Sequence, residues 1–82
     1  MNEGRRGPVY LISDLTSRTG LSIHTINYYI RLGLIREVVR AERSGYRLFD
    51  DETVATLERI IELRRHQVPI REILARKDNG IL

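Results

Sequence analysis

Two glycines, at positions 20 and 33, each close a short apolar-periodic run and set the frame in which this chain can fold. Glycine readily takes the left-handed backbone that ends a helix, whereas residues with a side chain adopt it at a cost. Two residues after Gly20 comes Ser22, whose hydroxyl suits a helix N-cap. The spacing therefore predicts a first helix closing at Gly20, a tight turn, and a second helix over about 22–32 closing at Gly33. Upstream, Val9-Tyr10-Leu11 reads as a short extended lead-in. Ser13 is the expected N-cap of the first helix, and Asp14 lies in its first turn, where negative charge suits the helix dipole. Leu11, Ile12 and Leu15 supply its apolar positions.

Two short helices about a glycine-containing turn form a helix-turn-helix pattern. Many helical proteins contain such corners, so what the second helix displays decides more than the corner itself. Ile23, Ile26 and Ile30 recur at i, i+3 and i+7, one apolar stripe expected to face the core. His24, Asn27, Tyr28 and Arg31 fall on the other side. Each can hydrogen-bond and none is acidic. A solvated face usually mixes Glu with Lys; this set is what phosphates and base edges require.

From Leu34 the period changes. Val38, Val39 and Tyr46 to Phe49 flank Ala41-Glu42-Arg43-Ser44-Gly45, and branched and aromatic residues around a Ser-Gly turn read as a β-hairpin. Arg36, Arg40, Arg43 and Arg47 line it against Glu37 and Glu42. Two strands carry little core and must lean on helices. An Arg-rich hairpin beside a helix-turn-helix has the pattern of a wing, and equally that of a hairpin using Arg for solubility. Asp50 then caps a longer helix, with Asp51 and Glu52 in its first turn and a stripe of Val54, Leu57 and Ile61 widened by Ile60 and Leu63. Arg64, Arg65 and His66 stand at its C-terminal end, where cations suit the dipole. Gln67-Val68-Pro69 breaks the chain before a last helix that packs back through Ile70, Ile73 and Leu74, with Glu72 and Arg76 an i, i+4 pair. Asp78-Asn79-Gly80 is expected to end the order, leaving Ile81 and Leu82 beyond it.

Charge placement sharpens this reading. The 82 residues carry 14 Lys and Arg against 11 Asp and Glu, a net charge of +3. Residues 1–47 hold eight Arg against four acids, and residues 48–82 six bases against seven acids. The excess thus sits on the half that contains the second helix and the hairpin. All the bases are Arg except Lys77. Arg makes flat bidentate contacts with phosphate and guanine, although a GC-rich genome produces the same bias. Residues 1–9 read as a tail in which Arg5 and Arg6 are either simply solvated or a basic arm reaching a DNA groove.

Other chemistries find no support. With no cysteine there is no disulfide framework and no thiolate metal site. No apolar run reaches the roughly 18 residues of a membrane span, which makes the cytoplasm the expected compartment, and a DNA-reading role would add association with the nucleoid. So short a chain buries only about 60–65% of its unfolded surface, leaving little room for an enclosed catalytic cavity. His24 and His66 fall on different helices, and no Walker loop, HExxH or GxSxG occurs. Asp50-Asp51-Glu52 is better explained by helix capping than by a metal. The expectation is a non-enzyme with no cofactor and no metal.

At this point a resemblance is plain. The blocks Tyr10-Leu-Ile-Ser-Asp-Leu, Arg18-Thr-Gly-Leu-Ser-Ile-His-Thr-Ile-Asn-Tyr-Tyr-Ile-Arg-Leu-Gly-Leu-Ile, Ser44-Gly-Tyr-Arg-Leu-Phe-Asp and Pro69-Ile-Arg-Glu-Ile resemble, in order and spacing, the DNA-binding domain of the MerR family. The resemblance implies a mostly α fold with a small β-hairpin, a winged helix-turn-helix of about four helices over residues 10–77, followed by a tail over 78–82. It implies helix two in the major groove and the wing, about 36–48, on the neighbouring backbone. By position, Tyr28 is the expected phosphate contact, and His24 and Thr25 face bases and backbone. Arg47 is the wing arginine, Arg43 lies at the wing tip with Tyr46 beside it, and Arg18 nears the backbone from helix one. Ser22 opens helix two, while Tyr29 and Phe49 mainly pack the core. With Asn27 and Arg31 this completes the expected DNA-binding set.

The sequence also departs from the family pattern. Members often carry Arg where this chain has Asn27, and Glu where it has Ile30. Asn27 can hydrogen-bond a phosphate or an adenine edge instead. Members usually continue into a long helix that pairs antiparallel with a partner, and often into an effector-binding segment. The expectation is therefore a DNA-reading head whose dimerisation helix and sensor lie outside these 82 residues. Full-length members bind duplex DNA as homodimers and act with RNA polymerase at the promoter. Two other readings stay open: an excisionase-like architectural protein that bends DNA, and a protein-interaction module built on a winged helix.

Overall fold

The computed structural model describes residues 7–82. Arg5 and Arg6, the expected basic arm, lie outside the described residues. Four helices and one hairpin follow in chain order: α1 Ile12–Thr19, α2 Ile23–Leu32, β1 Val39–Arg40, β2 Arg47–Leu48, α3 Asp51–Arg65 and α4 Ile70–Asp78.

The glycines do what their spacing predicts. Gly20 and Gly33 both take left-handed backbone, at φ 78° and 82°. At the end of α2 the Gly33 N–H donates to the Ile30 carbonyl and the Leu34 N–H to the Tyr29 carbonyl. This pairing satisfies carbonyls that a helix end otherwise leaves open, and it brings Tyr29 and Leu34, both buried, onto the same patch. Ser22 caps α2 as expected, its Oγ accepting the Thr25 N–H at 3.1 Å. Asp50 caps α3 by accepting from the Glu52 and Thr53 N–H groups.

The cap of α1 differs from the expectation. The helix begins two residues sooner, with Leu11 as N-cap, because Tyr10 is held extended by a two-way backbone bridge to Phe49. Ser13 is therefore already helical, and its carbonyl accepts the Thr16 hydroxyl at 2.7 Å. Asp14 reaches back to the Leu11 N–H at 2.9 Å. The last turn also corrects the sequence reading. The Gly80 N–H donates to Lys77 and the Ile81 N–H to Arg76, which closes α4 in the same way as α2. Leu82 then packs against the core rather than hanging beyond it.

The core is one cluster. Leu15 of α1, Ile26 and Tyr29 of α2, Leu34, Ile35, Phe49, Val54, Leu57, Ile60 and Leu63 of α3 and Ile73 of α4 are buried, with Tyr10 beside them. Ile60, expected only to widen the α3 stripe, is fully buried, whereas Ile61 is half-buried. The hairpin pairs Val39 with Leu48 and Arg40 with Arg47, and Phe49 ties its base to Tyr10. The wing is thus anchored to the start of α1 through the chain's most buried aromatic residue.

Candidate nucleic-acid interface

Helix α2 presents the most distinctive surface. Its inner side buries Ile26 and Tyr29 and rests Ile30 against the core. The family departure at Ile30 is thereby a packing residue. The outer side exposes His24, Tyr28 and Arg31, with Thr25 and Asn27 half-buried between them. Tyr28 is 41% exposed, its ring 6.0 Å from that of Tyr29 and beneath the Arg31 guanidinium at 5.9 Å. This stacking holds two donors on one outward strip. The first turn of α2 carries no acid, so the partial positive charge of its N-terminus is not offset by a carboxylate of its own. Ser22 turns inward to the helix: besides accepting from Thr25, its hydroxyl donates to Thr25 Oγ1 at 3.1 Å. Its part is to fix the start of α2.

Ile23 departs from the sequence expectation. It was expected in the apolar stripe with Ile26 and Ile30, but it is 54% exposed and does not join the core cluster. As the first residue of α2 its side chain leans back past the helix end, beyond the reach of the core.

Arg18, at the end of α1, lies over the Tyr10 ring at 4.9 Å. The Tyr10 hydroxyl in turn donates to Asp51 Oδ1 at 2.6 Å. That hydrogen bond, reinforced by burial, raises the Tyr10 pKa above the ordinary phenol value. A core aromatic pinned at its far end thus gives Arg18 a fixed platform at the surface.

On the wing, Arg43 and Tyr46 are exposed, Tyr46 at 61%. The tip between the strands is a closed turn: Gly45 donates to the Ala41 carbonyl, Ala41 to the Tyr46 carbonyl, and the Tyr46 N–H to Ser44 Oγ. Arg47 is less free. Its Nε lies 3.5 Å from Glu37 Oε1 and is buried without a hydrogen bond, while Arg40 Nε lies 3.3 Å from Glu37 Oε2. We read the Arg47 contact as an ion pair, since the separation suits charge attraction and exceeds an ordinary N–H···O distance. Glu37's own backbone N–H holds its carboxyl below the usual carboxylate range; Arg40 and Arg47 add to this, against some desolvation. Arg40, opposite Arg47 in the register, was not in the expected DNA-binding set. Only the strand register sets Arg40 opposite Arg47, and spacing along the chain does not carry that. Arg40, Gly45, Tyr46 and Arg47 face Leu11, Ile12 and Ser13 across an open cleft of about 430 Å³.

Among the described residues no group of three or more His, Cys, Asp or Glu is placed to hold a metal. No described helix is long and apolar enough to cross a membrane.

Two helices about a glycine turn, followed by a short hairpin anchored to the first of them, define a winged helix-turn-helix domain. Residues 10–76 match the family described as MerR HTH family regulatory protein. The chain belongs to that family. It is 38% identical over 64 residues to the mercuric resistance operon regulatory protein of Bacillus cereus, covering 78% of this chain and 48% of that protein. It is 29% identical over 70 residues to the HTH-type transcriptional regulator CueR of Bacillus subtilis, covering 85% of this chain and 48% of the relative. A crystal structure of a MerR-family transcriptional regulator from Bacillus cereus superposes with a TM-score of 0.76 at 20% identity, over 83% of this chain and 50% of that one. The chain thus spans about half the length of these relatives, all of them transcriptional regulators.

Proposed function

We propose that this domain binds double-stranded DNA in a sequence-dependent way, as the DNA-reading head of a MerR-like transcription regulator. Helix α2 enters the major groove and the wing lies along the neighbouring backbone. The observation that carries the reading is the outward side of α2. His24, Thr25, Asn27, Tyr28 and Arg31 stand there with no acid in the helix's first turn.

Each side chain has a role that its placement supports. Tyr28 and Arg31, stacked together, donate to phosphates from the side of the groove. His24 and Thr25 lie in the first turn, the part of a recognition helix that meets base edges. Asn27, one turn further, offers the donor and acceptor pair that matches adenine. Arg18, on its Tyr10 platform, reaches the backbone from α1. Arg43 and Tyr46 extend from the wing tip to the next phosphates, and Arg47 joins them from the strand as Glu37 yields to a phosphate. Ser22 contributes by fixing the start of α2. In a regulator of the relatives' length, pairing of two such heads, response to an effector and work with RNA polymerase would fall to the part of the protein outside this match.

The test is duplex DNA binding by fluorescence anisotropy across a series of salt concentrations. Four arginine–phosphate contacts, from Arg18, Arg31, Arg43 and Arg47, predict a log–log slope of roughly −3 to −4, at about 0.9 per contact. Affinity that does not respond to salt would refute the proposal.

A further inference from the structure

We infer that Ile23 is a base-reading residue that recognises the C5 methyl group of a thymine in the major groove. The inference rests on the DNA-binding reading above and adds a specific reader to it. Ile23 is 54% exposed at the first position of α2 and belongs neither to the buried core nor to the apolar residues packed on it. Among the described residues nothing in the packing explains an isoleucine there. A β-branched residue is a middling helix former, and an acid at the same place would suit the helix dipole better.

Its neighbours point to what it meets. Ser22 and its two hydrogen bonds to Thr25 fix the helix start, so Ile23 projects from a rigid point rather than from a frayed end. His24 is exposed next to it, and Asn27 lies one turn on along the same ridge at i+4. An apolar group set among hydrogen-bonding groups, on the first turn of a groove-reading helix, matches an apolar group set among hydrogen-bonding groups on DNA. In the major groove that group is the thymine methyl, which cytosine, adenine and guanine all lack. A phosphate would leave the Ile23 side chain against charged oxygens and gain nothing from it. The neighbouring Asn27 would then read an adjacent base while Ile23 reads the thymine.

The experiment uses the full 82-residue chain and a duplex selected by it from a randomised pool at low ionic strength. Each thymine of the selected duplex is replaced in turn by deoxyuracil, which removes only the methyl group. The wild-type chain is expected to lose roughly fourfold in affinity at one thymine, the worth of one buried methyl. Ile23→Ser is expected to bind the thymine and uracil duplexes equally, with circular dichroism and melting unchanged. A flat uracil profile for the wild type, or an equal loss in Ile23→Ser, overturns the role of Ile23 while salt-dependent binding keeps the DNA reading intact. Absence of any salt-dependent duplex binding removes the DNA reading, and this inference with it.

Discussion

Tyr28 and Arg31 stand together on α2 but should fail in different ways when changed. Tyr28→Phe removes one hydroxyl and leaves the ring that lies 6.0 Å from Tyr29 and under the Arg31 guanidinium. The packing is kept, so folding stability should change by less than about 0.5 kcal/mol. What is lost is one hydrogen bond to a charged oxygen at a solvent-accessible interface, roughly 1 kcal/mol or about a fivefold loss of affinity. Because a tyrosine releases no counterion, the salt slope should stay where it was. Arg31→Ala removes a charge, so it should weaken binding and also flatten the slope by about 0.9. Anisotropy titrations of both variants at four or more salt concentrations separate the two effects, and the loss should be the same on every duplex sequence. Unchanged affinity in Tyr28→Phe, or an altered slope in that variant, would refute the placement of Tyr28 on a phosphate.

Three further outcomes follow from the fold. Gln67 takes left-handed backbone at φ 66° in the turn after α3, where its N–H and that of Val68 close the helix on the Arg64 and Leu63 carbonyls. Gln67→Gly relieves that strain and should raise stability by roughly 0.5–1 kcal/mol in urea unfolding; a lower midpoint would contradict it. Ser22→Ala deletes the cap of α2 and should cost about 1 kcal/mol, which for a domain this size is a fall in Tm of roughly 4–8 °C by calorimetry. Glu37, its carboxyl held low in the native state, contributes stability that is present above the ordinary carboxylate range and fades as pH falls through its lowered native value. The stability gap between the wild type and Glu37→Gln should therefore narrow as pH drops into that range, and a gap that widens would reverse the assignment.

Local signals made most of the architecture readable in advance. Gly20, Gly33, Ser22 and Asp50 act on their own helix ends, and a helix end is a matter of a few neighbouring residues. The outward set on α2 was legible for the same reason, since helical spacing alone puts His24, Tyr28 and Arg31 on one side. What escaped notice depends on distant pairings. The Tyr10–Phe49 bridge shifts the cap of α1 from Ser13 to Leu11, and no property of residues 10–14 announces Phe49. Arg47 is tied to Glu37 across the hairpin, so its freedom depends on the strand register rather than on its own neighbours. Ile23 fits the apolar period, yet a helix's first residue lies at the rim of the core, and periodicity does not carry that information. Leu82 finds the core only because Gly80 turns the chain back.

In the proposed function α2 and the wing together form the DNA-binding surface. Titrating ¹⁵N-labelled protein with duplex DNA and following backbone amide shifts tests it most directly. Shifts are expected to concentrate on residues 22–31, around Arg18 and at the wing tip from Ala41 to Arg47, all weakening as salt is raised. Shifts confined to the outward side of α3 and α4, or shifts that ignore salt, would contradict it.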